Sequence, residues 1–145
     1  MSLNNIFDVA GSGMNAQSVR LNTTASNIAN ADTASSSIDQ VYRARHAVFK
    51  ASFNEMLGHS KAGIDAPEET AGVAVLGIVE SDAPLQPRYE PDHPMANDEG
   101  YVYYPNVNVV EEMTNMISAS RSFQMNVDVM NSAKQMMQRV LTMGQ

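Results

Sequence analysis

The residues best suited to chemistry in this sequence are its three histidines, His46, His59 and His93. Histidine binds zinc together with carboxylates or thiolates, usually at short and recognisable spacings. The three histidines share no such spacing, although His93 has three acidic neighbours, Asp92, Asp98 and Glu99. An exposed acidic loop accounts for that grouping better than a metal centre does, so we expect no metal ligands.

A second chemical candidate is the sequence Gly11-Ser12-Gly13, which has a superficial likeness to a phosphate-binding turn. Such turns follow a strand and carry the complete Gly-x-Gly-x-x-Gly spacing, and neither condition is met here. Serine, histidine and aspartate all occur, but no serine lies in the turn motif of a hydrolase nucleophile. We therefore predict no catalytic residues, no cofactor and no enzymatic activity.

Composition argues against several other classes of function. The 145 residues include no cysteine, which excludes disulfide and thiolate chemistry. A net charge of −7 is unfavourable for binding a nucleic-acid backbone, and no apolar run approaches the ~18 residues of a membrane span. The first ten residues contain Asp8 and no basic segment, so we expect no cleavable signal peptide.

The charge divides the sequence into three segments. Residues 1–31 and 107–145 are each neutral, whereas residues 32–106 hold twelve acidic and five basic residues and so carry the whole −7. The neutral segments are also the ones with apolar stripes. We expect the acidic segment, 32–106, to form the soluble face of the protein.

The C-terminal segment has the clearest structural signal, an apolar stripe that repeats at alternating steps of four and three residues. This spacing predicts a helix whose stripe faces a partner helix along its length. Asn108 is placed to cap its start, with Glu111 three residues later, and Gly144 is placed to end it. The stripe consists of Val109, Met113, Met116, Ser120, Phe123, Val127, Met130, Lys134, Met137 and Leu141.

A helix of this length must find a partner, because ~35 residues span roughly 50 Å. A domain of this size cannot bury such a helix in its own core. Ile117, Met125 and Met136 lie off the stripe, and a helix that is apolar beyond one seam contacts more than one neighbour. The pattern favours a multi-helix assembly over a single antiparallel pair.

The N-terminal segment repeats the same spacing and predicts a helix from Leu3 to Asn30. Ser2 could cap its start, and Asn30 could end it in the left-handed conformation. Gly11 and Gly13 lie inside this helix and indicate either a kink or the close approach of a neighbour. The stripe consists of Leu3, Phe7, Ala10, Met14, Gln17, Leu21, Thr24, Ile28 and Ala31.

The middle segment has the pattern of a small β-rich unit. Strands are predicted over residues 39–49, 73–79 and 101–104, whereas residues 50–57 are ambiguous between strand and helix and residues 58–70 form a loop. Four prolines preclude a helix between the second and third strands and favour extended or turn conformations, namely Pro84, Pro87, Pro91 and Pro94.

Separated motifs near the two ends resemble signatures of the bacterial flagellar axial proteins, the rod and hook family. The N-terminal motif is SNIANADT at residues 26–33, followed by YRARHAVF at 42–49. The C-terminal motifs are YPNVNVVEEM at 104–113 and SASRSFQMN at 118–126. The motif positions singled out are Asn27, Asn30, Thr33, Pro105, Asn106, Asn108, Glu112, Arg121, Gln124 and Asn126.

This resemblance, which is closest to the short proximal rod proteins, implies an α+β subunit. Its terminal helices, 1–31 and 107–145, would form an antiparallel coiled coil in an inner tube, and a small β-rich domain, 32–106, would face outward. The stripe residues expected at the assembly interface are Leu3, Phe7, Met14, Leu21, Ile28, Val109, Met113, Met116, Phe123, Val127, Met130, Met137 and Leu141.

The resemblance also implies a function, a location and partners. The chain would polymerise into a rod that crosses the periplasm, transmits torque and forms part of the export channel. Its partners would be itself, other proximal and distal rod proteins, the MS-ring with its rod junction protein, and the flagellar type III export apparatus. The alternatives are a helical-hairpin binding module for a single partner protein, or another short rod protein.

Overall fold

The computed structural model describes residues 3–53 and 71–143, and the side chains of residues 5–52 and 72–143. Two long helices enclose a central part made of two short β-hairpins. In chain order, the elements are α1 (Leu3–Ala29), a single 3₁₀ turn (Ile38–Gln40), β1 (Arg45–Phe53), β2 (Ala71–Glu80), β3 (Gln86–Tyr89), β4 (Tyr101–Tyr104) and α2 (Val109–Met143). The predicted α+β class, with long terminal helices around a small β-rich region, is confirmed.

The two helices run antiparallel. The side chain of Asn126 lies beside Gly13, and the Arg20 guanidinium donates a 2.9 Å hydrogen bond to the Asn115 side chain, so the residue order on α2 opposes that on α1. α2 contains neither glycine nor proline over 35 residues, which allows it to continue unbroken. α1 also continues through both of its glycines.

The first hairpin, β1–β2, lies along α1. Its strands pair antiparallel from Arg45↔Glu80 to Phe53↔Ala71, with an irregularity between Val48 and Phe49 that leaves Leu76 unpaired. Near its far end, the Val73 amide donates to the hydroxyl oxygen of Ser12 at 3.1 Å. Thus α1 packs against both the hairpin and α2, which make no comparable contact with each other within the described residues.

The second hairpin, β3–β4, pairs from Gln86↔Tyr104 to Tyr89↔Tyr101. Pro87 fits within β3 because each strand of a two-stranded sheet is an edge strand. An isolated bridge between Ser35 and Tyr103 ties this hairpin to the chain after α1, and Val102 in β4 is fully buried.

Most of the predicted elements match the structure. The strands at 73–79 and 101–104 are present as β2 and β4, and the helices begin and end within a few residues of the expected limits. The expected strand over residues 39–49 is wrong in its first half, where the chain forms a 3₁₀ turn and enters β1 only at Arg45. The physical reason is that Val41 and Ala44 are buried, Ala44 in the cluster with Ala31 and Val107 where the two helix ends meet, so these residues cannot continue an exposed ribbon.

Three expectations lie outside the described residues: the capping role of Ser2, the loop at 58–70 and the C-terminal end at Gly144. Of the ambiguous segment 50–57, the described part, 50–53, belongs to β1. None of the helices in the part of the chain that the structure describes is long and apolar enough to cross a membrane.

Candidate assembly interface

The ends of α1 and α2 meet around a small apolar core. Ala31, Ala44 and Val107 are buried together there, and Tyr42 and Val109 pack against them. Ala31 follows the last residue of α1 by two positions, and Val107 precedes α2 by two positions. Because these side chains are small, the backbones approach closely, and the polar groups brought together at this point need partners.

Asparagine side chains supply those partners. We call this region the asparagine junction, formed by Asn27, Asn30, Asn106 and Asn108. Amides suit this role because each presents both a donor and an acceptor, like a backbone peptide. The four residues belong to the motif set identified from the sequence.

Asn27 connects α1 to the start of β1 and is fully buried. Its Oδ1 accepts hydrogen bonds from the Arg45 amide and the Tyr42 hydroxyl, both at 2.9 Å, and its Nδ2 donates to the Arg45 carbonyl at 2.8 Å. One side chain therefore satisfies both backbone groups of Arg45, as a paired strand residue would. This holds β1 at a fixed position against α1.

Asn106 makes the corresponding connection on the other side of the junction. Its Oδ1 accepts from the Ala44 amide at 2.8 Å, and its Nδ2 donates to the carbonyls of Ala83 at 2.8 Å and Ser81 at 3.3 Å. The adjacent Pro105 is fully buried. The segment that leads into α2 is thus anchored to the chain on both sides of the first hairpin.

Asn108 and Asn30 stabilise the helix ends. The Asn108 Oδ1 accepts from the Val110 amide at 3.1 Å and the Glu111 amide at 3.4 Å, which confirms the predicted N-cap of α2. Asn30 donates from its Nδ2 to the Ser26 carbonyl at the end of α1, and the Thr33 hydroxyl donates to the Asn30 carbonyl, both at 2.8 Å.

The most buried residues along the seam between α1 and α2 are small or polar. Ala119 and Ala133 are its most buried members on α2, and Glu112 is also buried. A Cβ atom at Gly13 would lie 2.8 Å from the Asn126 Nδ2, so the Asn126 side chain packs directly against the α1 backbone at this glycine. Gly11, by contrast, has no neighbour within 4 Å.

The predicted stripe on α2 coincides with this seam at some positions and not at others. Met116, Phe123, Met130 and Met137 are partly buried. Between them, the buried positions are Glu112, Ala119 and Ala133, one residue before the predicted stripe positions Met113, Ser120 and Lys134, which are exposed.

The remaining stripe residues fall into three groups. Phe7, Met14, Leu21 and Ile28 are partly buried on α1, as are Val109 and Val127 on α2. Met113 and Leu141 are exposed, at 53% and 68%. The side chain of Leu3 lies outside the described part. Their assignment to an assembly interface stays a prediction.

Sequence reasoning identified only some of the exposed apolar residues that lie away from the stripe. Ile117, Met125 and Met136 were noted as off-stripe residues of α2, whereas Val129 and Val140 on α2 and Leu76, Ile78 and Val79 on β2 were not. The available signal was the surplus of methionine and aliphatic residues off the stripe. A helix with this many exposed apolar side chains has more exposed apolar surface than isolated surface residues usually account for.

The chemical candidates do not converge into a site. The His93 Nδ1 accepts a hydrogen bond from the Met95 amide at 3.1 Å, which gives this histidine a role in shaping its loop. His46 lies exposed on β1, and His59 is outside the described residues. Within residues 3–53 and 71–143, no three acidic or histidine side chains are grouped as metal ligands would be.

Two family models match the ends of the chain. Residues 7–34 match a model described as flagella basal body rod protein. Residues 98–143 match a model described as the C-terminal part of flagellar basal body rod FlgEFG proteins. These segments contain most of α1 with the chain that follows it, and β4 with α2, which are the elements that meet at the asparagine junction.

Curated relatives match over the full length. The flagellar basal-body rod protein FlgC of Salmonella typhimurium is 48% identical over 147 residues, and that of Escherichia coli O6:H1 is 49% identical over 145 residues, with 100% of both chains covered. FlgC of Borreliella burgdorferi is 35% identical, with 100% of this chain and 99% of its own covered.

The chain therefore belongs to the FlgC family of flagellar basal-body rod proteins. This confirms the resemblance seen in the sequence motifs and favours FlgC over FlgB, the other short rod protein considered. The members of this family are structural subunits of the rod and not enzymes.

Proposed function

We propose that the chain polymerises through its terminal helices into a helical tube, forming part of the proximal rod. The observation that supports this most directly is the exposed apolar surface of α2. Its seam with α1 accounts for only part of the apolar surface of α2, since large apolar side chains such as Met113 and Ile117 are exposed. A contact between different faces of successive subunits builds an open helical assembly.

The charge distribution supports the proposed arrangement of segments within the tube. Segments 1–31 and 107–145 are neutral and would form the inner tube, whereas 32–106 carries the net −7 and would face outward. Closely packed helices tolerate a neutral surface better than one with a large charge of one sign. In this arrangement the tube transmits torque and its lumen is part of the export channel.

The proposed partners are further copies of the chain, other proximal and distal rod proteins, and the MS-ring with its junction protein. Nucleic acid is not among them, since the chain is acidic. The proposed location is the rod within the periplasm, reached through the flagellar type III export apparatus without a cleavable signal peptide. Electron microscopy would separate this function from that of a hairpin binding module, because a tube differs visibly from a discrete complex.

A substitution at Met113 tests the assembly role without disturbing the fold. Met113 is 53% exposed, so Met113→Asp should change the free energy of unfolding by no more than about 0.5 kcal/mol. In an assembly that covers this face, the new carboxylate would lose hydration without gaining a partner. We expect normal export, normal folding and loss of incorporation into basal bodies.

Gln40→Glu is the control, because it adds the same charge to an exposed position of segment 32–106, which the proposed arrangement places outside the tube. Incorporation and motility should be measured in cells that carry only the variant gene. Normal rods with Met113→Asp, or equal loss with both variants, would contradict the assignment of this face.

A further inference from the structure

A polar cleft lies between the first hairpin and the start of α2. Both elements pack against α1 and make no comparable contact with each other within the described residues, and a cleft of about 340 Å³ remains between them. Its polar lining includes Arg20 and Thr24 from α1, His46 from β1, and Glu111 and Glu112 from α2. We call this space the Glu112 cleft.

Two polar side chains of the cleft are buried without a partner. Glu112 and Thr24 are each 4% exposed, and neither side chain makes a hydrogen bond or an ion pair in the part of the chain that the structure describes. Among those residues, Gln17 Oε1 is the only fully buried side-chain oxygen that lacks a partner. The oxygens of Glu112 and Thr24 therefore still reach the cleft, one from each helix.

Glu112 does not serve as the cap of α2. It lies in the first turn, where the helix dipole favours negative charge. The Asn108 side chain already accepts from the amides of Val110 and Glu111, and the Glu112 amide donates to the Asn108 carbonyl at 2.9 Å. The helix end thus makes a buried carboxylate tolerable but supplies it with no hydrogen bond from these three amides.

The cations that line the cleft are engaged elsewhere. The Arg20 guanidinium donates to the Asn115 side chain at 2.9 Å, and no ion pair joins it to Glu112 within the described residues. Arg45 is paired with a carboxylate of β2 at 2.9 Å. Two carboxylates, Glu111 and Glu112, therefore share the cleft with one cation that has no ion-pair partner, and the cleft keeps an excess of negative charge.

A guanidinium group satisfies these acceptors better than any other side chain does. It carries five N–H donors in one plane and can bind a carboxylate through two parallel hydrogen bonds. Further donors then remain for the hydroxyl oxygen of Thr24. A lysine ammonium is a compact point charge and lacks this fork of donors.

The charge of the chain favours a different protein as the source of this guanidinium. Segment 32–106, which includes the β1 wall of the cleft, carries the whole net charge of −7. A second copy would bring the same acidic segment toward the cleft, so like charges would oppose its approach. A basic segment of another protein would instead be attracted.

We propose that the Glu112 cleft is a docking site for a basic segment of a different protein, which inserts an arginine side chain. Its guanidinium pairs with the Glu112 carboxylate and donates to the Thr24 hydroxyl oxygen. Folding has already removed most water from both acceptors, so binding has less left to desolvate. The inference rests on the proposed assembly and adds the chemistry by which the chain recognises a neighbour of another kind.

Incorporation into basal bodies tests the site in cells that carry only the variant gene. Glu112→Gln keeps the size of the side chain and removes its charge, and we expect incorporation to fall at least about tenfold. Thr24→Val removes the hydroxyl and should lower incorporation about threefold. Glu99→Gln is the matched control, the same exchange at an exposed position away from the cleft. Equal loss with Glu99→Gln would overturn the proposal.

Thermal unfolding of the isolated full chain separates docking from a structural role. Glu112→Gln removes a buried charge that has no partner, so the midpoint should stay the same or rise. If Glu112 instead paired with Arg20 inside the subunit, the midpoint would fall, and the fall would be absent in an Arg20→Gln background. That result would overturn the docking site.

Photo-crosslinking identifies the source of the arginine. The exposed His46, at the cleft, is replaced by p-benzoylphenylalanine, and linked peptides from isolated basal bodies are identified by mass spectrometry. We expect a peptide of a different protein with an arginine close to the linked residue. Replacing that arginine by glutamine should lower incorporation as much as Glu112→Gln does, and both changes together should cost no more than one. A peptide from a second copy of this chain, or no linked peptide, would overturn the proposal.

These outcomes are separable from the proposed function. If Glu112→Gln incorporates normally, water satisfies the carboxylate and the docking site is wrong. Polymerisation through the terminal helices still holds in that case as long as Met113→Asp fails to incorporate. If Met113→Asp also incorporates normally, the proposed function itself is at fault.

Discussion

Replacement of Asn27 by alanine should be among the most damaging single changes in the asparagine junction. The side chain is fully buried and makes three hydrogen bonds of 2.8 to 2.9 Å. Asn27→Ala leaves the amide and carbonyl of Arg45 without this partner and removes an acceptor from the Tyr42 hydroxyl. It also leaves a cavity too close to the backbone to refill easily.

The expected loss follows from these groups. Each unsatisfied buried backbone group costs about 1–3 kcal/mol, while the Tyr42 hydroxyl keeps the Ser26 hydroxyl at 3.2 Å as a second partner. The amide and carbonyl of Arg45 therefore account for most of the cost. We expect the free energy of unfolding to fall by about 3 kcal/mol after partial relaxation of the structure. A domain of this size is stable by only about 5–15 kcal/mol, so the loss is a large fraction of the total.

Urea unfolding followed by circular dichroism measures this difference directly. Asn15→Ala is the matched control, because Asn15 is exposed on the same helix and its replacement should change stability by about 0.5 kcal/mol or less. Tyr42→Phe removes one of the three bonds and should cost about 1 kcal/mol. A loss below about 1 kcal/mol for Asn27→Ala would show that water replaces the amide, and would refute the idea that this side chain holds β1 against α1.

Four further changes test other parts of the structure by the same unfolding measurement. Gly11→Ala should stabilise by about 0.5–1 kcal/mol through helix propensity, whereas Gly13→Leu should destabilise by about 1–3 kcal/mol because it displaces Asn126; equal effects would contradict the close approach at Gly13. Gln17→Met should stabilise by about 1 kcal/mol, since its Oε1 is buried without a hydrogen-bond partner in the described structure; a loss would show that the oxygen is satisfied in solution. Asn108→Ala should cost about 1 kcal/mol through loss of the α2 cap, and no change would mean that the helix start is capped otherwise.

The sequence was sufficient to predict the elements that depend on local signals. The stripes on α1 and α2 repeat over many turns, and β2 is a compact β-branched run, so tertiary contacts did not override them. The cap at Asn108 was predictable for the same reason, because capping depends only on residues within one turn. Motif residues such as Asn27 were identified, but not the bonds that they make.

Apolar periodicity predicted the face of α2 that meets α1 only in part. Such periodicity assigns the seam to the largest apolar residues, yet close approach of two helices requires small ones. Ala119 and Ala133 are therefore buried, while Met113 is exposed. The contacts that fix this face join residues far apart in the sequence, as in the pairing of Gly13 with Asn126, which spans 113 residues.

The path of the chain between α1 and β1 was unpredictable for a related reason. Val41 and Ala44 look like part of a strand, but the Ala44 amide bonds to Asn106, which is 62 residues away in the sequence. A contact of this kind depends on how the two helix ends meet. The sequence near Val41 therefore does not indicate that Ala44 bonds to Asn106.

The position of α1 between its two neighbours has a consequence for the order in which the subunit opens. α2 makes its extended contacts with α1, and the first hairpin also depends on α1. Separation of α2 would leave α1 and the hairpin paired, whereas melting of α1 would remove the support of both. Amide hydrogens of α2 should therefore exchange with solvent at a lower free energy than those of α1, so that the helix with the most exposed apolar surface is also the one most easily released.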